Sequence, residues 1–212
     1  MRLRLEQTTL EGSQPRQSEW IVGSDESLKG DSFGGIVVAG ALFNTNEYTI
    51  LESMGVVDSK DLTKKKLLEI KKLLIERFPD RFYIENLDPK EYNEHHKGNM
   101  TPLLNKLHDN CGEALKAIEP TATHVVDKYP GCIAGDVAET KAESKYLPVA
   151  AASIVASAIG KEQLEQLSEN IGFKIQPGSN NVSDSLTKLK ESSFLPNYYV
   201  KLHFKNVKKF FN

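Results

Sequence analysis

The chain has 212 residues, 39% of them hydrophobic, enough to bury one substantial core, so one catalytic-size domain is expected. Its formal net charge of −2 excludes capture of nucleic acid by a whole-molecule field and leaves any grip on phosphate to local lysine patches. No apolar run approaches the roughly 20 residues of a membrane span and residues 1–6 lack a signal-peptide core, so a soluble, cytoplasmic protein is expected.

Residues 1–19 are mostly polar. Leu3 and Leu5 alternate with charged residues as in a short half-exposed strand, and residues 11–18 read as a linker. Residues 20–24 predict a strand ending at a group of carboxylates. Residues 34–43, apolar and bounded by glycines, predict a buried second strand. Asn44-Thr45-Asn46 reads as a hairpin turn into a third strand over residues 47–51. Over residues 63–78, Leu67, Ile70, Leu74 and Phe78 recur at helical steps with Lys64, Lys65, Lys71 and Lys72 largely opposite, and Thr63 is the N-cap. A solvated face is the ordinary reading of those lysines, phosphate contact the rarer one.

Residues 81–87 predict a further strand. Leu103, Leu107, Cys111, Leu115 and Ile118 mark a core-facing helix, with His108 beside that stripe as a structural histidine. Cys111 and Cys132 have neither metal-ligand spacing nor disulfide density, which suits a reducing compartment. Residues 123–126 form a short strand that delivers Asp127. Small residues from Val149 to Ile159 allow a helix to approach another element closely. The order suits an α/β fold, a mixed sheet opened by an antiparallel meander and flanked by helices. The tail from Tyr198 to Phe211 mixes aromatics and lysines. It reads first as a helix packing its aromatics on the core, and also as a surface that stacks on nucleic acid.

The densest chemistry follows the first strand, where Asp25, Glu26 and Asp31 enclose Ser27, Leu28, Lys29 and Gly30. Adjacent carboxylates repel and resist burial unless a cation compensates, and magnesium prefers such hard oxygen donors. Taken alone, the segment also reads as a solvated polar turn. Asp127 and Glu143, taken singly, are a turn acid and a helix-start glutamate. Acids at neighbouring strand ends and on a facing helix nevertheless converge without being close in sequence.

The stretch Gly23-Ser24-Asp25-Glu26-Ser27-Leu28-Lys29-Gly30-Asp31 resembles the opening signature of type 2 ribonucleases H, and within them ribonuclease HIII, whose pattern runs Asp-Glu-Ser-Gly-Lys-Gly-Asp. Three more blocks follow in order: Gly55-Val56-Val57-Asp58-Ser59-Lys60-Asp61-Leu62, Thr140-Lys141-Ala142-Glu143-Ser144-Lys145-Tyr146-Leu147, and Lys201-Leu202-His203-Phe204-Lys205-Asn206. The resemblance covers roughly residues 20–209. It implies a ribonuclease H-like fold, with residues 1–19 as an extension and 20–212 as the catalytic domain. It further implies an endonuclease that hydrolyses the RNA strand of RNA–DNA hybrids, leaving 5′-phosphate and 3′-hydroxyl ends.

By the same resemblance, Asp25, Glu26, Asp127 and Glu143 would hold two Mg2+ or Mn2+ ions, with glutamate rather than aspartate at the fourth position as in ribonuclease HIII. Ser27, Leu28, Lys29 and Gly30 would meet the ribose, and Lys60, Lys141 and Lys145 the phosphates or the acid network. The chain departs from the pattern twice. Leu28 stands where the family has glycine, and residues 1–19 are too few for the usual N-terminal substrate-binding domain. A monomer is expected, with a partner as one source of that module. Two other readings stay open: a catalytically impaired hybrid-binding protein, and another two-metal nuclease on the same fold.

Overall fold

The computed structural model describes residues 19–56 and 62–211. The strand expected around Leu3 and Leu5, and Lys60, lie outside them. A five-stranded mixed sheet organises the described residues. Strand β1 (Trp20–Ser27) pairs antiparallel with β2 (Ile36–Asn44), and β2 antiparallel with β3 (Phe82–Leu87). On its other side β1 runs parallel to β4 (Thr123–Asp127), which runs parallel to β5 (Val137–Glu139), giving the order β3-β2-β1-β4-β5. An antiparallel meander followed by parallel strands is the mixed sheet that the ribonuclease H resemblance implies.

Every residue of β2 is buried, because both faces of the sheet are covered. Side chains alternate across a strand, so Val37, Ala39, Ala41 and Phe43 face helix α5 (Leu147–Ile171) and its neighbours. Ile36 and Val38 face Tyr92 of the short helix α3 (Pro89–His95) and helix α4 (Thr101–Lys116) with Leu103, Leu104, Leu107 and Cys111. The same alternation in β1 sends Ile21, Gly23, Asp25 and Ser27 toward α5, and Val22, Ser24 and Glu26 toward α4. Helix α2 (Lys64–Arg77) packs on α5, its start capped by the Thr63 hydroxyl accepting the Lys66 N–H at 3.3 Å.

Three expectations are corrected. The segment 47–51 is not a strand: Asn44 Oδ1 accepts the Asn46 N–H and Glu47 Oε2 accepts the Asn44 N–H, a capping box that opens a 3-10 turn and helix α1 (Tyr48–Ser53). Residue order Asn-x-x-Glu starts helices, and here it outweighs the turn reading. Strand β1 does not stop before the carboxylates, since Asp25, Glu26 and Ser27 continue its pairing with Ala39, Val38 and Val37. The helix that carries the small residues 149–159 runs on to Ile171, where Gly172 at φ 80 caps it. Ile118 lies past the end of α4 and is 54% exposed, so it does not face the core.

The chain closes with α6 (Ser183–Glu191) and α7 (Lys205–Phe211). Phe204, Phe210 and Phe211 pack on the main core while Lys205, Lys208 and Lys209 stay exposed, so the packing reading of the tail holds. Lys201 is the exception among its lysines, being fully buried.

Candidate active site

Parallel pairing of Ser24 with Val126 brings Asp25 beside Asp127 at the ends of β1 and β4. Asp25 is buried on the α5 side, where the Ser153 hydroxyl bonds to it. Burial, reinforced by the charge of Glu26, pushes its carboxyl up to about 7. Burial likewise raises Asp127, with Glu143 adding to the shift while the Ala142 N–H, donated to Asp127 Oδ1 at 2.9 Å, opposes it. That N–H is available because Lys141 adopts φ 56 and turns the chain into a 3-10 turn, Ala142–Ser144, that carries buried Glu143.

Glu26 points to the opposite face. Its Oε1 receives the Lys29 ammonium, and its Oε2 lies 3.3 Å from His108 Nε2. Burial alone would raise its pKa, but the His108 hydrogen bond and the Lys29 charge outweigh it and hold the carboxyl below its usual value. Lys29 also lies 5.2 Å from the centre of the Tyr129 ring. Four carboxylates thus collect at one end of the sheet.

Among the described residues, no three histidine, cysteine or acidic side chains already meet at a single coordination point. The reason is local: Glu26 is turned to Lys29 and His108, and Asp127 to Ala142 and Glu143. The donor set is nevertheless all carboxylate oxygen, which suits Mg2+ or Mn2+. The Lys29 ammonium already compensates the charge of Glu26, the role a divalent cation would take.

The turn after β1 carries the departure at position 28. Leu28 sits at φ 65, the left-handed region that favours glycine, with its side chain buried against Gly34 and Gly160. Gly30, by contrast, is exposed, and a Cβ there would meet nothing within 4 Å. Lys201 fixes the turn from below, its Nζ donating to the carbonyls of Leu28 at 2.9 Å, Asp31 at 2.7 Å and Gly34 at 3.0 Å. Beside the turn, a cleft of about 860 Å³ begins at Ser27 and Asp31 and runs past Ser157, Lys161, Lys64 and Lys174.

Asp25, Glu26, Asp127 and Glu143 are brought together, and Ser27, Leu28, Lys29 and Gly30 adjoin them. Lys145 is tied to Glu139 instead, whose Oε2 also accepts the Tyr146 hydroxyl at 3.0 Å. Lys141 contributes its backbone turn and leaves its side chain exposed. Sequence reasoning treated His108 as structural and did not single out Ser24, His124, Ser153 or Lys201. A polar residue at the helical step between Leu104 and Cys111, on the buried face of α4, was the available signal for His108.

Comparison with known proteins gives this geometry its family. Residues 22–207 match the family described as ribonuclease HII. The ribonuclease HIII of Streptococcus pneumoniae (strain P1031) is 31% identical over 209 residues, covering 89% of this chain and 71% of that protein. The crystal structure of Bst-RNase HIII in complex with Mn2+ superposes with a TM-score of 0.79 at 28% identity, over 92% of this chain and 70% of that one. Ribonuclease H2 from Pyrococcus horikoshii OT3 superposes with a TM-score of 0.72 at 26% identity, over 90% and 96%. The fold and these matches therefore define a hydrolase of the ribonuclease H class. Within it, the chain belongs to the ribonuclease HII family, the type 2 ribonucleases H, on the side of ribonuclease HIII. The family depends on divalent metal, and no helix among the described residues is long and apolar enough to cross a membrane.

Proposed function

We propose that this chain is an endonuclease that hydrolyses the RNA strand of RNA–DNA hybrids and leaves 5′-phosphate and 3′-hydroxyl ends. The observation that carries the reading is the gathering of Asp25, Glu26, Asp127 and Glu143 at the ends of β1 and β4, beside an exposed turn. These four carboxylates would hold two divalent cations, Mg2+ or Mn2+. When bound, the cations supply the positive charge that activates a water nucleophile and stabilises the departing 3′ oxygen.

The chain's own residues do the rest. Asp25 and Glu26 leave opposite faces of β1, and Glu26 would turn from Lys29 to join Asp25 at a shared cation. Asp127 is held at Oδ1 by the Ala142 N–H and interacts with Glu143, so the two acids would share a cation. Recognition of RNA rests on its 2′-hydroxyl. Exposed Gly30 leaves room for a ribose against the Leu28–Gly30 backbone, and Ser27 and Lys29 flank it. Leu28 keeps the left-handed backbone that glycine would take, which favours retained activity over a hybrid-binding protein without catalysis.

The test is cleavage of an end-labelled hybrid with Mg2+, Mn2+ or EDTA. Metal-dependent cutting of the RNA strand alone is expected, and its loss in Asp25→Asn. That variant should fold normally and gain stability in EDTA, because it removes a buried carboxylate already resisting ionisation. Wild-type cleavage by Asp25→Asn would overturn the site. Equal cutting of all-DNA duplex would redefine the substrate.

A further inference from the structure

Beneath Glu26, three buried polar side chains lie in line, and the last of them faces the carboxylate. Ser24 Oγ lies 2.8 Å from His108 Nδ1 and 2.8 Å from His124 Nε2, and His108 Nε2 lies 3.3 Å from Glu26 Oε2. Ser24 and His108 are 0% exposed and His124 is 2% exposed. Polar groups this deep are kept when they find partners, and the two buried atoms of the group left without a hydrogen bond, His108 Nε2 and Glu26 Oε2, face each other.

We infer that His124, Ser24 and His108 are a positioning relay for Glu26, holding one carboxylate oxygen so that the other is aimed at the divalent-cation site. The inference rests on the assignment of that site in the proposed function.

Proton counting orients the relay. Ser24 has one hydroxyl proton and two imidazole nitrogens at bonding distance, so one ring donates to it and the other accepts from it. With neutral rings, only one arrangement avoids setting a lone pair of His108 Nε2 against the Glu26 carboxylate. His124 Nε2–H donates to Ser24 Oγ, Ser24 O–H donates to His108 Nδ1, and His108 Nε2–H points to Glu26 Oε2. Burial holds the His124 imidazole well below its usual pKa, at about 4, so that ring stays neutral as the arrangement requires.

The far end is anchored by backbone. The His124 N–H donates to Asp136 Oδ2 at 2.7 Å, and the Asp136 N–H donates to the His124 carbonyl at 2.9 Å. The surrounding fold makes room for this ring. Gly112 lies inside α4, where glycine is about 1 kcal/mol worse than alanine, yet a Cβ there would sit 2.3 Å from His124 Nδ1.

The near end explains why Glu26 needs the relay. Its Oε1 is paired with Lys29, a flexible side chain that a divalent cation would displace. After that exchange the His108 contact still fixes the carboxylate plane. Partners of this kind behind a metal-ligating group typically change metal affinity by about 10–100-fold when removed.

Mn2+ titration calorimetry on the full chain without substrate tests this, with thermal melting of each variant alongside. His108→Leu is expected to weaken Mn2+ binding by roughly tenfold or more. His108→Gln, whose amide N–H reaches toward Glu26, is expected to recover most of that loss. Ser24→Ala, which touches no carboxylate, should weaken binding by a smaller factor. A merely structural network would lower melting temperatures without this order of metal affinities. A folded His108→Leu that binds Mn2+ like wild type, or a His108→Gln as weak as His108→Leu, overturns the relay. If His108→Leu does not fold, Ser24→Ala decides, and unchanged affinity there overturns it. Asp25→Asn separates the two levels. Loss of Mn2+ in Asp25→Asn but not in His108→Leu defeats the relay alone, whereas wild-type binding by Asp25→Asn defeats the cation site and the relay with it.

Discussion

Leu28 concentrates the conflict between local strain and burial. A non-glycine residue in the left-handed region costs roughly 1–2 kcal/mol. Its buried side chain returns more than that, since removing a buried leucine side chain typically costs about 2–5 kcal/mol. The turn also has outside support, because the Leu28 carbonyl accepts from both the Asp31 N–H and Lys201 Nζ. Burial pushes the Lys201 amine down to about 7, yet three accepting carbonyls call for all three ammonium protons, so the charged form is the one the geometry uses. Leu28→Gly should therefore lower stability by about 1–3 kcal/mol in urea unfolding, while hybrid cleavage stays within a few-fold of wild type because the backbone keeps its path. A variant more stable than the parent would mean that strain, not packing, dominates at this turn.

At the scale of elements, the site depends on how closely α5 lies on β1. A Cβ on Gly23 would sit 2.2 Å from the backbone nitrogen of Val149, so the start of α5 rests directly on the strand backbone. Helix atoms in that position cannot rotate away as a side chain would. Gly23→Ala should cost about 2–4 kcal/mol in chemical unfolding and reduce cleavage further than the stability loss explains, because Asp25 and Ser153 separate with the two elements. A neutral effect would show that α5 can slide. Much of this architecture was legible from periodicity: the buried run of β2, the stripes of α2 and α4, and the small residues of α5. The segment after Asn44 misled because one string of residues served as both turn signal and capping box, and only packing on the sheet selects between them. The four acids were legible because a motif carries them. The histidine chain was not, since Ser24, His108 and His124 come from three elements and meet only through the parallel register of β1 and β4. Lys201 escaped for another reason: lysine is ordinarily a surface residue, and nothing local marks this one as buried.

For the whole molecule, charge balance sets how substrate is captured. With 27 basic and 29 acidic residues, the protein has no long-range field to draw a polyanion toward it. Attraction must act at short range: the cleft that begins at Ser27 offers Lys64, Lys161 and Lys174, and Lys29 lies apart from it, paired with Glu26. Lys64 shares its charge with Glu165 at 2.8 Å, and Glu165 and Glu169 line the same cleft, so the local field is mixed rather than uniformly positive. Each phosphate neutralised contributes a slope of about −0.9 in log affinity against log salt for duplex DNA. Three or four lysine contacts then predict a slope of about −2 to −4 for hybrid binding by the metal-free Asp25→Asn protein, between about 50 and 200 mM salt. Replacing Lys161 and Lys174 with methionine together should flatten that slope by about 2 and weaken binding at low salt most. A parent slope near −8, or one that the double variant leaves unchanged, would locate the phosphate contacts on another face and detach this cleft from substrate capture.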